Sequence, residues 1–280
     1  MLANLPADLP DQVSRALRED IGSGDVTAEL IPLQTPARAH LLCRQQAIVC
    51  GVPWFNESFR QVNPAVQINW RVAEGASVRP DTVLCEIGGP ARSILTGERT
   101  ALNFLQLLSA TASMTRRYVE ALAGTQCRIL DTRKTIPGMR SAQKYAVRCG
   151  GGQNHRIGLY DMVLIKENHI AAAGSISAAI KAARLSCPTL RVEVETENIV
   201  QLREALDAHA DIIMLDNFDI DTLREAVAVN GSHANHALLE SSGGVTLGQL
   251  HAIALTGIDF ISVGALTKNI EAVDLSLRFD

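Results

Sequence analysis

No stretch of this 280-residue sequence carries a sustained run of lysine or arginine, and its net charge is -4. Nucleic-acid faces are broad cationic surfaces, so a polymeric polyanion is not the partner this composition suits. No apolar run reaches the roughly 20 residues that a membrane span requires, so no membrane role is expected. The opening M-L-A-N-L-P-A-D-L-P-D has neither a basic flank nor an apolar core, and no signal peptide is expected there. The six cysteines (Cys43, Cys50, Cys85, Cys127, Cys149, Cys187) include no C-x-x-C pair and no knot-like spacing. Buried, reduced thiols in a cytoplasmic protein are the expectation. There is no G-x-S-x-G elbow, dinucleotide fingerprint or Walker loop, which leaves serine hydrolases and the common nucleotide folds without support. His233 and His236 lie in a G-S-H-A-N-H turn without acidic neighbours and read as a solvated loop rather than a metal site.

What is present is an ample core, 47% of residues being apolar, and a local gathering of cations. Arg133, Lys134, Arg140, Lys144, Arg148, His155, Arg156, Lys166 and His169 fall between Asp131 and His169. A mildly acidic chain that concentrates positive charge in one stretch is suited to a small, multiply anionic substrate held in a pocket.

The order of elements frames that pocket. Apolar spacing predicts a helix over Asp11 to Glu19, closed by Gly22 and Gly24. From Arg38 to about Ile94, β-rich runs alternate with Gly, Pro and Asn turns, which predicts a small α+β domain. A long helix capped by Thr96 follows, its apolar face running through Leu102, Leu105 and Leu108 toward Leu122, with a domain junction near Ala110. Six strands are then expected, over 128–131, 161–166, 190–196, 211–216, 236–240 and 260–263, with amphipathic helices between most of them. Alternating units with continuous apolar strands imply a parallel sheet covered by helices. Polar or glycine residues end all six strands, which favours an incomplete α/β barrel with its site on one rim over an open doubly wound sheet.

That rim combines lysines and arginines with Glu195 and Asp216 on neighbouring strands. Alternation puts Glu193 and Glu195 on the same side of theirs, inside the barrel. The set suits a phosphate- or carboxylate-bearing substrate and a hydrated Mg²⁺ bridging it to an acid; an internal salt-bridge network is the alternative use of the same charges. Backbone N–H groups of Ser241 to Gly244 and Val263 to Ala265 can cradle a phosphate, although either glycine segment alone also fits an ordinary turn. Gly150 to Gly152 can equally serve to stop a helix ending at Cys149. Asn168 and His169 can act on a substrate or orient their loop.

Eight segments taken together resemble one family: L-T-G-E-R-T-A-L-N-F, D-T-R-K-T-I-P-G-M-R, Y-A-V-R-C-G-G-G-Q-N-H-R-I-G-L, L-I-K-E-N-H-I, V-E-V-E-T, I-I-M-L-D-N-F, F-I-S-V-G-A-L-T and D-L-S-L-R-F. In this order they are similar to the quinolinate phosphoribosyltransferases, the carboxylating nicotinate-nucleotide pyrophosphorylases of de novo NAD synthesis. The resemblance implies an N-terminal α/β sandwich domain over 1–110 with 266–280 folding back onto it, and a barrel over 111–265. It implies a homodimer with shared active sites, compatible with a higher oligomer. Arg133, His155, Arg156 and Lys166 would surround quinolinate, with Arg99 arriving from a partner subunit. Lys134 and Lys166 would contact phosphoribosyl pyrophosphate, Glu195 and Asp216 its ribose and Mg²⁺, and Ser242, Gly243, Gly244 and Gly264 its 5′-phosphate. The four-apolar, two-acid run of the commoner phosphoribosyltransferases is missing, Asn217 standing where the second acid would be. A relative acting on another acceptor, or a non-catalytic sugar-phosphate sensor, would keep parts of the same pattern.

Overall fold

The computed structural model describes residues 4–280. Met1, Leu2 and Ala3, where the segment read as lacking a leader begins, lie outside the described residues. The chain runs α1 (Leu9–Ile21), β1 (Pro36–Cys43), β2 (Ala47–Ile48), α2 (Val52–Val62), β3 (Gln67–Trp70), β4 (Ser77–Val78), β5 (Thr82–Pro90) and α3 (Ala91–Glu120). It continues through β6 (Arg128–Leu130), α4 (Arg140–Cys149), β7 (Val163–Ile165), α5 (Glu167–Ala173), α6 (Ile176–Ser186) and β8 (Val192–Thr196). Then come α7 (Ile199–Asp207), β9 (Ile212–Asp216), α8 (Ile220–Ser232), β10 (Leu238–Ser242), α9 (Leu250–Ala254), β11 (Phe260–Ser262), α10 (Ala265–Lys268) and β12 (Leu275–Phe279). Two compact units result, one of 1–116, 135–151 and 265–280, the other of 117–134 and 152–264.

The first unit holds a four-stranded antiparallel sheet in the order β12-β1-β5-β3. Leu41, Leu84, Ile87, Phe55, Phe59, Leu102 and Leu105 bury one core. Val13, Leu17, Trp54, Leu108, Ala142 and Tyr145 form a second, in which Trp54 Nε1 donates to Gln12 Oε1 at 2.8 Å. Two expectations need correcting. The stretch from Arg38 to Ile94 is not strands alone, because α2 interrupts it, with Trp54, Phe55, Ser58 and Phe59 buried along one face. Nor does Thr96 cap the long helix. α3 begins at Ala91, directly after Pro90, and the Thr96 hydroxyl instead donates to Asp25 at 2.8 Å. The segment 135–151, which carries α4, groups with this unit by compactness.

The second unit is a six-stranded parallel sheet in the order β6-β11-β10-β9-β8-β7. Among the described residues β6 and β7 do not pair, so the barrel stays incomplete. Its strands are short and apolar because both faces are covered: Val192, Val194, Ile213, Leu215, Leu239 and Ile261 are all buried. The helices that follow successive strands begin on side-chain caps, Ser175 accepting from Ala178 N, Asn198 from Gln201 N and Asp219 from Thr222 N at 2.8–3.0 Å. Asn198 and Asp219 cap just beyond the C-terminal ends of β8 and β9, while Ser175 starts α6 after the short helix α5, and the strand ends stay open as one rim. No helix among the described residues is long and apolar enough to cross a membrane.

Candidate active site

The rim of the second unit opens into a cavity of about 280 Å³ lined by Thr132, Arg133, Lys134, His155, Arg156, Leu164, Lys166, Glu195, Met214, Asp216, Glu240, Ser242 and Ser262. Of the twelve site residues singled out from sequence, eight line it: Arg133, Lys134, His155, Arg156, Lys166, Glu195, Asp216 and Ser242. They come from the ends of β6, β7, β8, β9 and β10 and from the segment after Gly152, so residues distant in sequence share one volume.

Glu195 ends β8 with its side chain 16% exposed and pairs with Lys166, whose side chain is 45% exposed. Asp216 ends the adjacent strand β9, and its carboxyl is raised by burial and by the nearby charge of Glu195, against the pull of Lys166 and Lys134. With Glu195 disfavouring the charge on Asp216, the two acids at this half-open rim form a hard donor set that a divalent cation such as Mg²⁺ would relieve. Arg156 is lowered by burial and by the neighbouring Arg133, so the two guanidiniums crowd together and favour an anion between them. Both effects leave the cavity prepared for ligand charge.

Beneath the rim lies a feature that sequence reasoning missed. Glu193 and Glu240 are fully buried, and His155 Nε2 stands 2.8 Å from one and 3.4 Å from the other. Burial alone would lower the imidazole, but the two carboxylates outweigh it and push the ring up to about 10. Burial and the Glu240 charge push Glu193 up to about 7. His155 Nδ1 lies 2.8 Å from the Arg156 backbone nitrogen, with Nε2 on the side of the acids. The three donor atoms lie close enough to hold a metal ion, and His155 Nε2 is within ion-pair distance of both acids. Alternation marked Glu193 as inward-facing, whereas Glu240 was passed over because the L-L-E-S-S strand drew attention to its serines.

Asp131, also fully buried, fixes this arrangement by accepting from His155 N at 2.9 Å and from Asn154 Nδ2 at 2.6 Å. A strand-end aspartate thus clamps the loop that presents His155 and Arg156. Asp161 accepts from Ile157 N and Gly158 N at 2.7 and 2.9 Å and holds the loop's far side.

Four of the twelve do not line the cavity. Arg99 is exposed on α3 of the first unit. Gly243 and Gly244 follow Ser242 with φ of 104° and 53°, and a Cβ on Gly243 would lie 2.1 Å from Asn217 Oδ1, so that turn requires glycine. A Cβ on Gly264 would meet Lys134 Cδ at 3.0 Å, which puts that backbone against a lining lysine. The wider cation cluster is also divided. Arg140, Lys144 and Arg148 belong to α4 in the first unit. His169 Nδ1 accepts the Lys166 N–H at 2.9 Å, so it orients the loop at the start of α5.

Two family models cover almost all of this architecture, the N-terminal domain of quinolinate phosphoribosyl transferase over residues 25–109 and its C-terminal domain over 111–278. The chain belongs to the quinolinate phosphoribosyltransferase family. Among relatives of this family, a probable carboxylating nicotinate-nucleotide pyrophosphorylase of Synechocystis is 42% identical over 263 residues, spanning 94% of this chain and 89% of that protein. A carboxylating nicotinate-nucleotide pyrophosphorylase of Mycobacterium leprae is 40% identical over 273 residues and 95% of each. The solved nicotinate-nucleotide pyrophosphorylase of Francisella tularensis superposes with a TM-score of 0.95 at 45% identity, covering 100% of this chain and 99% of that one.

Proposed function

We propose that this phosphoribosyltransferase joins the nitrogen of quinolinate to the anomeric carbon of phosphoribosyl pyrophosphate and releases pyrophosphate and CO₂. The product is nicotinate mononucleotide for NAD synthesis. The observation that carries this reading is one cavity lined by Arg133, His155, Arg156 and Lys166 together with Glu195 and Asp216. The cations match a pyridine bearing two carboxylates, and the acids match a sugar whose anomeric carbon becomes positive as pyrophosphate departs.

Arg133, Arg156 and His155 hold the pyridine so that its nitrogen faces the sugar. Glu195 and Asp216 stabilise the oxocarbenium-like charge, and no protein nucleophile is required. Ser242, Gly243, Gly244 and Gly264 take the 5′-phosphate through backbone N–H groups. Glu195 and Asp216 would hold Mg²⁺, which when bound supplies charge neutralisation to the pyrophosphate, with Lys134 reaching the same leaving group. Once the nitrogen is alkylated, the pyridinium is itself the electron sink for loss of the 2-carboxylate, while the cations grip the carboxylate that stays. Leu164 and Met214 give the cavity its apolar corner, where a carboxylate leaves more readily as CO₂.

The reading includes a cytoplasmic setting, which suits six unbridged thiols, and a homodimer in which Arg99 of a second copy completes each cavity. Purified protein given Mg²⁺, phosphoribosyl pyrophosphate and quinolinate should release pyrophosphate and CO₂ together, and nicotinate should yield no CO₂. Release of pyrophosphate with a different acceptor would assign a related transferase, and binding of the donor without any release would assign a sensor. For the shared site, mixing Arg99→Ala with Lys134→Ala protein should restore part of the activity lost by each. Verified subunit exchange without recovery would remove the partner's arginine from the reading.

A further inference from the structure

Outside the cavity, the first unit holds a partly buried group of donors that phosphoribosyl transfer does not use. Cys50, Glu74 and Cys149 each present one ligand atom, and these atoms all lie within 4.8 Å of one another. They come from three distant places in the chain: the residue before the turn into α2, the loop between β3 and β4, and the last residue of α4. Each is held from behind. Ser109 Oγ accepts the Cys50 N–H at 2.9 Å and donates to its carbonyl at 3.1 Å, which pins that backbone to α3. Glu74 accepts from Gly51 N at 2.8 Å and Val52 N at 3.0 Å, one bond per oxygen, which leaves each oxygen a further lone pair. Cys149 is half-buried, so the group has a side open to solvent.

We propose that Cys50, Cys149 and Glu74 form a binding site for a thiophilic divalent cation of the zinc type, with solvent in the fourth position. Tetrahedral zinc with thiolate bonds of about 2.3 Å and carboxylate bonds of about 2.0–2.2 Å separates its ligands by roughly 3.5–3.8 Å, which the observed grouping accommodates. Two sulfurs select such an ion over Mg²⁺, whose preference is for oxygen, so this site does not compete with the rim acids. Tyr145, fully buried, sits beside Glu74 and Cys149 and would support two ligands from outside the coordination sphere. Binding is balanced as M²⁺ plus two thiols giving a dithiolate complex plus two protons, with no change of oxidation state. The ion would add the end of α4 to the Cys50 and Glu74 segments, which hydrogen bonds from Gly51 N and Val52 N to Glu74 already join.

The test is a Co²⁺ titration of the reduced, full-length protein, Co²⁺ standing in for Zn²⁺. A thiolate-to-cobalt charge-transfer band should saturate near one equivalent, Zn²⁺ should abolish it, and about two protons should be released per ion. Because Cys50 is fully buried, Cys50→Ser can fail to fold. Cys149→Ser and Cys149→Ala are therefore the main variants, and each should weaken Co²⁺ binding at least tenfold with unchanged circular dichroism. Metal held only at the rim acids would give no thiolate band. No band in the reduced wild type, or a band of equal strength in both Cys149 variants, overturns the site.

Discussion

Glu193 and Glu195 leave β8 on the same side, two residues apart, yet their surroundings differ in kind. Glu193 is fully buried beside Glu240 and faces His155, whose side chain is 8% exposed. Glu195 is half-buried at the rim and faces Lys166, nearly half of whose side chain meets solvent. The lower group is shut away from bulk solvent, so its charges form one fixed unit. At the rim, a flexible lysine can exchange its carboxylate for a substrate group at little cost. Depth within one barrel thus separates charges that hold the site's shape from charges free to engage ligand.

The largest expected effect breaks the lower group. His155→Ala leaves Glu193 and Glu240 buried without their imidazole and should lower unfolding free energy by about 3–5 kcal/mol, read from urea denaturation. A smaller loss than about 1 kcal/mol would mean that the two acids are neutralised without the ring.

The rim should answer differently. Glu195→Gln and Asp216→Asn should each reduce kcat/KM by roughly 10²–10³-fold while shifting stability by less than about 1 kcal/mol. Next in size, Gly243→Ala places a methyl against Asn217 in a left-handed turn, and should destabilise by about 1–3 kcal/mol while weakening donor binding. Unchanged donor affinity there would detach the turn from phosphate binding.

A further test concerns pH. The unfolded ring loses its proton near 6.5 and the folded ring near 10, so the folded chain holds the extra proton between those values. The stability this contributes is complete below pH 6.5 and is lost as pH rises through about 10. The urea midpoint of the wild type should fall across that window more than that of His155→Gln. Parallel profiles would remove the ring from the balance.

How far these contrasts are legible in sequence follows from what pattern encodes. Six apolar runs ending in charge or glycine gave the parallel strands within two residues or so, because burial on both faces enforces continuous hydrophobicity. The rim acids and basic residues were legible for the same reason, being polar groups at strand ends. Helix α2 was lost among β-rich runs although Trp54, Phe55, Ser58 and Phe59 recur at helical spacing and Gly51 precedes it. The start of α3 was misplaced because Thr96 resembles a cap while its hydroxyl answers Asp25 across 71 positions. Asp131 and Glu240 were opaque as structural acids, since an aspartate at a strand end looks the same whether it meets ligand or clamps a loop. Pairings of that kind depend on depth, which no local spacing records.

The pairing of β12 with β1 has a consequence for biosynthesis. A sheet that needs residues 36–43 and 275–279 side by side cannot gain that edge strand until residues 275–279 have been made. The parallel strands, whose members all precede residue 263, can assemble while the earlier segments wait, with the β1 edge exposed to whatever else is near the ribosome. A nascent chain stalled before residue 275 should therefore be the most aggregation-prone stage in the making of this protein.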